Sequence, residues 1–432
     1  MKSSPQLQRH IGLIALTLYG VGDILGAGVY GLIGKAAGQM GNAVWMAFTM
    51  SMVAAGLTGL SYASLGSRYP KAAGAAYATL RAFKSNFLSY VVGLALLASG
   101  LTSMAAAARV FAGYLTGFGV NLPIPVLVIL FALLLAALVF RGIRESMWAN
   151  AVCTVIELSG LLLIIVLGAS ALGSVDYMDT VTENNPSGEL TISFLLSGAV
   201  LTFYSFIGFE DILNVAEEVK KPNRTVPLAL IIAVLISSII YILVSLISVS
   251  VVPAADLANS TQPLVDVMGQ SAPWFPPKLF GLIAMFAVAN TALLNFITAS
   301  RLLYGMSNQK LLPKPLGHVH QKRSTPTIAI GTVLVIFLAL ALSGDVSSLA
   351  KATSVLLLLC FFVVNWSLVV LKRREKVAGE FKISSLIPIS GSIACLLMLT
   401  QAKAPEWTTA GILLAAIGIL YLIMRPKDVV LD

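Results

Sequence analysis

Apolar positions gather into twelve long runs separated by short polar segments. They span approximately 11–37, 42–66, 86–118, 123–140, 147–173, 191–215, 225–252, 278–308, 326–343, 347–371, 383–402 and 407–424. A helix needs about 20 apolar residues to cross a bilayer, so the pattern predicts an all-α integral membrane protein with 12 transmembrane helices. The longest pieces outside the runs, 174–190, 253–277 and 309–325, leave no room for a soluble insert, so residues 1–432 are expected to form a single polytopic membrane domain. The first run follows a short basic segment but outlasts the ~7–15 apolar residues of a signal peptide and has no clear cleavage site. It is expected to be a retained helix.

Polar and glycine positions inside two runs break the pattern. The first run contains GDILGAG at 22–28, with glycines at 20, 22, 26, 28, 31 and 34 and an aspartate at 23. Glycine weakens a helix interior, and an ionisable group at bilayer depth is costly unless it faces protein or water. Five runs later, YSFIGFED at 204–211 places Gly208 and two carboxylates in mid-span. Paired glycine-interrupted segments in matching positions of two halves point to a transporter binding site. Helices 1 and 6 are therefore expected to be broken. With five spans per half, 11–173 and 191–371 would form an inverted repeat, with 383–424 outside it. Unwound backbone frees N–H groups that attract a carboxylate and carbonyls that attract an ammonium. One broken helix can thus hold both ends of an amino acid. Gly22 and Gly26 also have the spacing of a close-packing helix face; Asp23 and the second interruption favour the break.

Composition agrees with the pattern. Of the 432 residues 58% are hydrophobic and 11% charged, with mean hydropathy +0.91, whereas soluble domains carry about 25% charged residues. The net charge of +9 could suggest nucleic acid, but the basic residues sit on one set of loops, including Arg68, Lys71, Arg81, Lys84, Arg141, Arg144, Lys220, Lys221, Arg224, Lys372, Arg373 and Arg374. The 174–190 loop is purely acidic, with Asp176, Asp179, Glu183 and Glu189. This asymmetry sets orientation and places both termini in the cytoplasm of a multi-pass protein of the cell (inner) membrane. No nucleic-acid partner is expected.

Cys153, Cys360 and Cys395 lie within runs and form no disulfide framework, and His318 and His320 lack a third ligand for a metal. No Walker A, HExxH or Ser/His/Asp pattern is present. An enzyme is not expected, nor a cofactor or metal, and any transport must be secondary.

Four motifs carry a family resemblance: GDILGAGVY at 22–30; LSYASLGSRYP at 60–70 with GAAY at 74–77; GFEDI at 208–212 with AEEVKKP at 216–222 and Val226-Pro227; and SRLLYGM at 300–306 with Leu312-Pro313. In this order, over about 300 residues, the chain resembles the amino acid–polyamine–organocation (APC) superfamily, especially the cationic amino acid transporter branch and its bacterial relatives. The resemblance implies the leucine-transporter fold, a 5+5 inverted repeat plus two C-terminal helices, with substrate beside the breaks. It implies that backbone at Gly26, Ala27 and Gly28 holds a substrate carboxylate. Carbonyls near Ile24 and around Phe203, Tyr204 and Ile207 would take the amino group. Tyr204 corresponds to an aromatic lid, and Glu210 to a gating or proton-sensing position.

Three positions depart from that pattern. Glu157 stands where several proton-coupled relatives carry lysine, facing the carbonyls of Gly22 and Leu25 and the side chains of Asn290 or Thr291. It could be protonated and carry the coupling proton, ionised in a Na⁺ site, or paired with Arg109. Asp23 replaces a small or apolar residue and could bind an ammonium or a coupling cation. Ser64 stands where cationic transporters often have Glu. The expectation is a secondary active transporter of amino acids, coupled to H⁺ or else Na⁺, working by alternating access, with a small-molecule substrate and the lipid bilayer as partners. The alternatives are a polyamine or organic-cation carrier or exchanger and, from another class, a transport-inactive sensor or interaction subunit.

Overall fold

The computed structural model describes residues 7–260, 262–343, 347–377, 380–426 and 429; the side chains at 27 and 347–352 lie outside that description. In chain order the helices are α1 (Leu13–Met40), α2 (Val44–Arg68), α3 (Gly74–Phe83), α4 (Asn86–Gly117), α5 (Ile124–Arg141), α6 (Ile143–Gly168), α7 (Ile192–Phe203), α8 (Pro222–Val251), α9 (Ala254–Asn259), α10 (Pro263–Ser271), α11 (Pro277–Asn308), α12 (Thr327–Leu342), α13 (Ser347–Arg374), α14 (Leu386–Leu399) and α15 (Ala404–Met424). Short 3₁₀ turns complete the fold, and two isolated bridges are the only β-pairing among the described residues.

Each of the twelve apolar runs contains a helix. Nine segments among the described residues are long and apolar enough to cross a membrane, the first of them, Leu13–Arg68, comprising both α1 and α2. Thr327–Leu342 and Leu386–Leu399 are apolar but shorter. The protein is thus a multi-pass helical membrane protein. Helix ends follow their sequence: Ser85 and Thr191 cap α4 and α7 by accepting from the N–H of Leu88 and Phe194, each at 3.2 Å. Pro222, Pro263 and Pro277 open α8, α10 and α11, where no intrahelical N–H bond is lost. The 253–277 segment, expected as a connection, is folded into α9 and α10, which pack against the far half of α1.

Both expected breaks are present. Gly26 has φ 12° and ψ −163°, outside the helical region, in the middle of α1. α7 ends at Phe203 and is followed by 3₁₀ turns at 204–206 and 209–213, joined at Gly208 with φ 129°. A residue with a Cβ is strained at that φ. A Cβ at Gly208 would also lie 2.7 Å from the carbonyl oxygen of Asp23, so the two breaks are packed directly on one another. α11, whose residues 290–307 are almost all buried, runs behind them against α1, α4 and α6. α15 is peripheral, with Ala410 and Ile417 its only buried residues.

The N-terminal end of this core is tied shut. The N–H of Ile11 donates to Glu218 O at 3.0 Å, and Lys220 N–H donates back to Ile11 O at 2.8 Å. Arg301, fully buried on α11, donates through Nε to Glu218 Oε1 at 2.6 Å. Nearby, Tyr69 donates to Glu375 Oε2 at 2.5 Å, Arg81 Nε meets the same oxygen at 3.1 Å, and Arg68 pairs with Glu380 at 2.5 Å. Burial, then Glu375 itself, pushes the Tyr69 hydroxyl up to about 12. Burial alone would raise Glu375, but hydrogen bonds from Tyr69 and Arg81 outweigh it and hold the carboxyl below its ordinary range. Ser64 donates to Phe381 O at 2.9 Å, and Ser67 Oγ accepts from Phe381 N–H at 2.8 Å. The connection after α13 is thereby fastened to α2 and α3.

Candidate functional site

The breaks open a cavity of about 260 Å³ between α1, α4, α11 and the 204–211 turns. Gly31, Lys35 and Val110 at one end are exposed, while Ala299 and Leu302 at the other are buried. It therefore opens away from the tied N-terminal end. The non-helical backbone at Gly26 lies in its wall, where an interrupted helix can present carbonyls and N–H groups.

Of the residues expected to hold substrate, Ile24, Gly26, Gly28, Tyr204 and Ile207 line the cavity. The side chain of Ala27 lies outside the described residues. Phe203 does not line the cavity. Its ring packs on Phe361, with centroids 6.0 Å apart, because it is the last residue of α7 and still follows that helix's inward face. The Ile24 carbonyl, expected to be available for an amine, accepts a hydrogen bond from the Tyr241 hydroxyl on α8.

The carboxylates divide into two places. Asp23, Glu210 and Asp211 line the cavity, and Lys35 at its mouth is the one basic residue among those lining it. Asp23 and Asp211 face one another across the two breaks, with Asp23 Oδ2 unpartnered among the described residues. Glu210 Oε2 accepts from the N–H of Gly208 at 2.8 Å. Thr298 contacts Asp211 and shares a hydrogen bond with Tyr19 at 2.7 Å. Ser205 adds a buried, unpartnered hydroxyl to the same wall. Asp211 was noted from sequence only as one of two mid-span carboxylates and given no role, and Ser205 and Thr298 were not singled out. Asp211 sits within the GFEDI motif and could have been given one; Ser205 and Thr298 carry no local signal.

Glu157 lies elsewhere, fully buried on α6 behind the first break. Asn290 approaches it, yet neither carboxylate oxygen has a hydrogen-bond partner of normal geometry. Beside it, Asn290 Nδ2 donates to Thr154 Oγ1 at 3.0 Å, and Thr154 Oγ1 lies 3.2 Å from Asn150 and 3.3 Å from Leu18 O. The cluster fits against α1 only because position 22 is glycine: a Cβ there would meet Thr154 Oγ1 and, at 2.5 Å, Asn290 Nδ2. Thr291, the next residue on α11, faces the cavity instead. The Arg109–Glu157 pair is not formed; Arg109 Nη1 donates to Ala341 O at 3.2 Å on α12, drawn to the unpaired carbonyls of that helix end.

A polytopic helical bundle with two broken helices around a cavity open at one end is the architecture of a membrane carrier. The family model described as amino acid permease matches residues 11–425, and the chain belongs to that family, within the APC superfamily. It is 26% identical over 429 residues to the branched-chain amino acid permease BcaP of Bacillus subtilis, covering 93% of this chain and 89% of that protein. It is 31% identical over 391 residues to the vacuolar cationic amino acid transporter 4 of Arabidopsis thaliana, covering 85% of this chain and 64% of that longer protein. A methylthioribose transporter of B. subtilis is 26% identical over 461 residues, covering 99% and 96%. The family and these relatives are transporters, not enzymes.

Proposed function

We propose that the chain is a secondary active transporter of amino acids, coupled to protons and working by alternating access. The observation that carries this reading is the meeting of two unwound segments, at Gly26 and Gly208, in the wall of one cavity. Unwound backbone presents amide N–H groups for a carboxylate and carbonyls for an ammonium, and Gly26, Gly28, Ile24 and Ser205 contribute backbone there. The twelve helical runs are read as twelve spans in the 5+5 inverted repeat of 11–173 and 191–371, with both termini cytoplasmic in the cell membrane. On that orientation the cavity faces outward and the Ile11, Glu218 and Arg301 ties close the inner side.

Proton coupling is read from Glu157. A carboxylate with neither oxygen in a hydrogen bond of normal geometry among the described residues, surrounded by protein, is strongly disfavoured as an unpaired charge. A proton neutralises it with no further ligand. A Na⁺ ion is the competing occupant, with Asn290 and the carbonyls near Gly22 at hand. Asp23 faces Asp211 in the cavity and belongs to the same coupling problem. No cofactor enters the scheme.

A second substrate reading, an organic cation or polyamine, is favoured by the three cavity carboxylates. Binding to purified protein separates the two. Arginine and a neutral amino acid should bind, and putrescine, which lacks a carboxylate for the 26–28 amides, should bind far more weakly. Putrescine binding as tightly as arginine would replace the amino acid reading with the amine one. Absence of binding and uptake for every solute would leave the transport-inactive sensor.

A further inference from the structure

Tyr241 lies midway along α8 and is fully buried. Its ring is fixed edge-on against Phe206, with centroids 5.1 Å apart, and tilted against Phe48 at 5.5 Å. That packing aims the hydroxyl at the junction of the two breaks. It donates to the Ile24 carbonyl and lies 2.8 Å from the Ser205 carbonyl and 3.4 Å from that of Leu25. Ile24 and Leu25 precede the break at Gly26; Ser205 sits in the turn that follows α7. A single side chain on a continuous helix therefore bridges both discontinuous ones.

The donor count is uneven. A phenol carries one hydrogen, whereas three carbonyl oxygens lie within its reach, so it can donate fully to only one of them at a time. A primary ammonium brings three N–H donors and a positive charge, and hydrogen bonds to a charged donor are roughly twice as strong as neutral ones. Ile24 and Ser205 both line the cavity, so an amine entering it would compete with the hydroxyl for their carbonyls.

We propose that Tyr241 is a built-in stand-in for the substrate's ammonium group. In the empty protein it pins the two breaks to each other and to α8. Binding transfers the Ile24 and Ser205 carbonyls from the hydroxyl to the amine and releases α8 from both breaks, so that α8 is free to move only when solute is present. The assignment rests on the reading of the cavity as the substrate site, although the pinning itself does not require solute.

Tyr241→Phe removes the hydroxyl and keeps the ring against Phe48 and Phe206. Two measurements on the full chain in nanodiscs test the proposal. Without solute, hydrogen exchange in the segments 20–30 and 202–212 should quicken about five- to tenfold in the variant, the worth of one hydrogen bond, with the other helices unchanged. With labelled arginine or leucine, the variant should bind several-fold more tightly than the wild type, because no hydroxyl competes, and bound solute should return both segments to wild-type protection. Unchanged exchange, faster exchange spread over all helices, or binding that is unchanged or weaker would overturn the proposal. A wild type that binds neither amino acid would instead overturn the transport reading, and the solute-free exchange result would still decide whether the hydroxyl pins the breaks.

Discussion

Glu218 and the pair Glu210–Asp211 lie on the same short stretch between α7 and α8, yet they are treated in opposite ways. Glu218 is closed off by Arg301 at 2.6 Å, both side chains 0–1% exposed. Glu210 and Asp211 face a cavity with Asp23, and the one basic residue among those lining it is Lys35 at the mouth. A buried ion pair balances its own charge and acts as a fixed strut. A group of three buried carboxylates that shares its cavity with a single lysine needs protons or a cationic solute to become neutral. The strut lies at the tied end and the uncompensated group at the open cavity, which is the division expected between a part that holds and a part that exchanges ligands.

Breaking the strut should have the largest effect. Arg301→Met leaves Glu218 as an unpaired buried charge and should cost about 3–5 kcal/mol. This would be read as lost expression or a markedly lower unfolding temperature in detergent. Adding Glu218→Gln should recover much of that loss, because the stranded charge is then gone. If the single variant is as stable as wild type, the pair is not the strut described here.

Gly208→Ala should come next. It forces a Cβ into φ 129° and against the Asp23 carbonyl at 2.7 Å, costing about 1–3 kcal/mol of backbone strain and separating the two breaks. Solute binding should fall more than thermal stability does. A variant with normal affinity would show that the contact between breaks is dispensable.

Glu157→Gln should leave stability unchanged or raised, since it removes an unpartnered carboxylate, while abolishing ion-driven uptake. A fully active Gln variant that is still cation-driven would remove Glu157 from coupling altogether. The smallest effect is expected at the exposed end of the clasp. Tyr69→Phe loses one hydrogen bond to Glu375, about 0.5–1.5 kcal/mol. Glu375 is held below its ordinary range, so its contribution is present above the usual carboxylate range and is lost as the pH falls through its lowered value. The difference in unfolding temperature between wild type and Tyr69→Phe should therefore be largest near neutral pH and vanish in acid; a difference that grows in acid would contradict the assignment.

The spans and both breaks were legible in the sequence because membrane helices announce themselves by length, and GDILGAG and GFED are local irregularities in an otherwise uniform pattern. The cavity was less so. Asp23, Glu210, Tyr204 and the glycines could be found from their own motifs, but Ser205 and Thr298 are ordinary small polar residues until helix packing brings them to one wall. Tyr241 is one tyrosine in an apolar helix, and its link to Ile24 bridges positions 217 residues apart in the chain. The Phe203 ring packs on Phe361, because one residue decides whether a side chain follows the helix or the break. Glu157 was recognised, but its distance from the cavity depends on how α6 and α11 meet behind Gly22.

The central claim is that this cavity moves amino acids on a proton gradient. Uptake of a labelled amino-acid panel into proteoliposomes, with pH and Na⁺ gradients imposed separately, tests it most directly. Accumulation is expected when the outside is acid, with or without Na⁺. Accumulation driven by Na⁺ and indifferent to pH would contradict it.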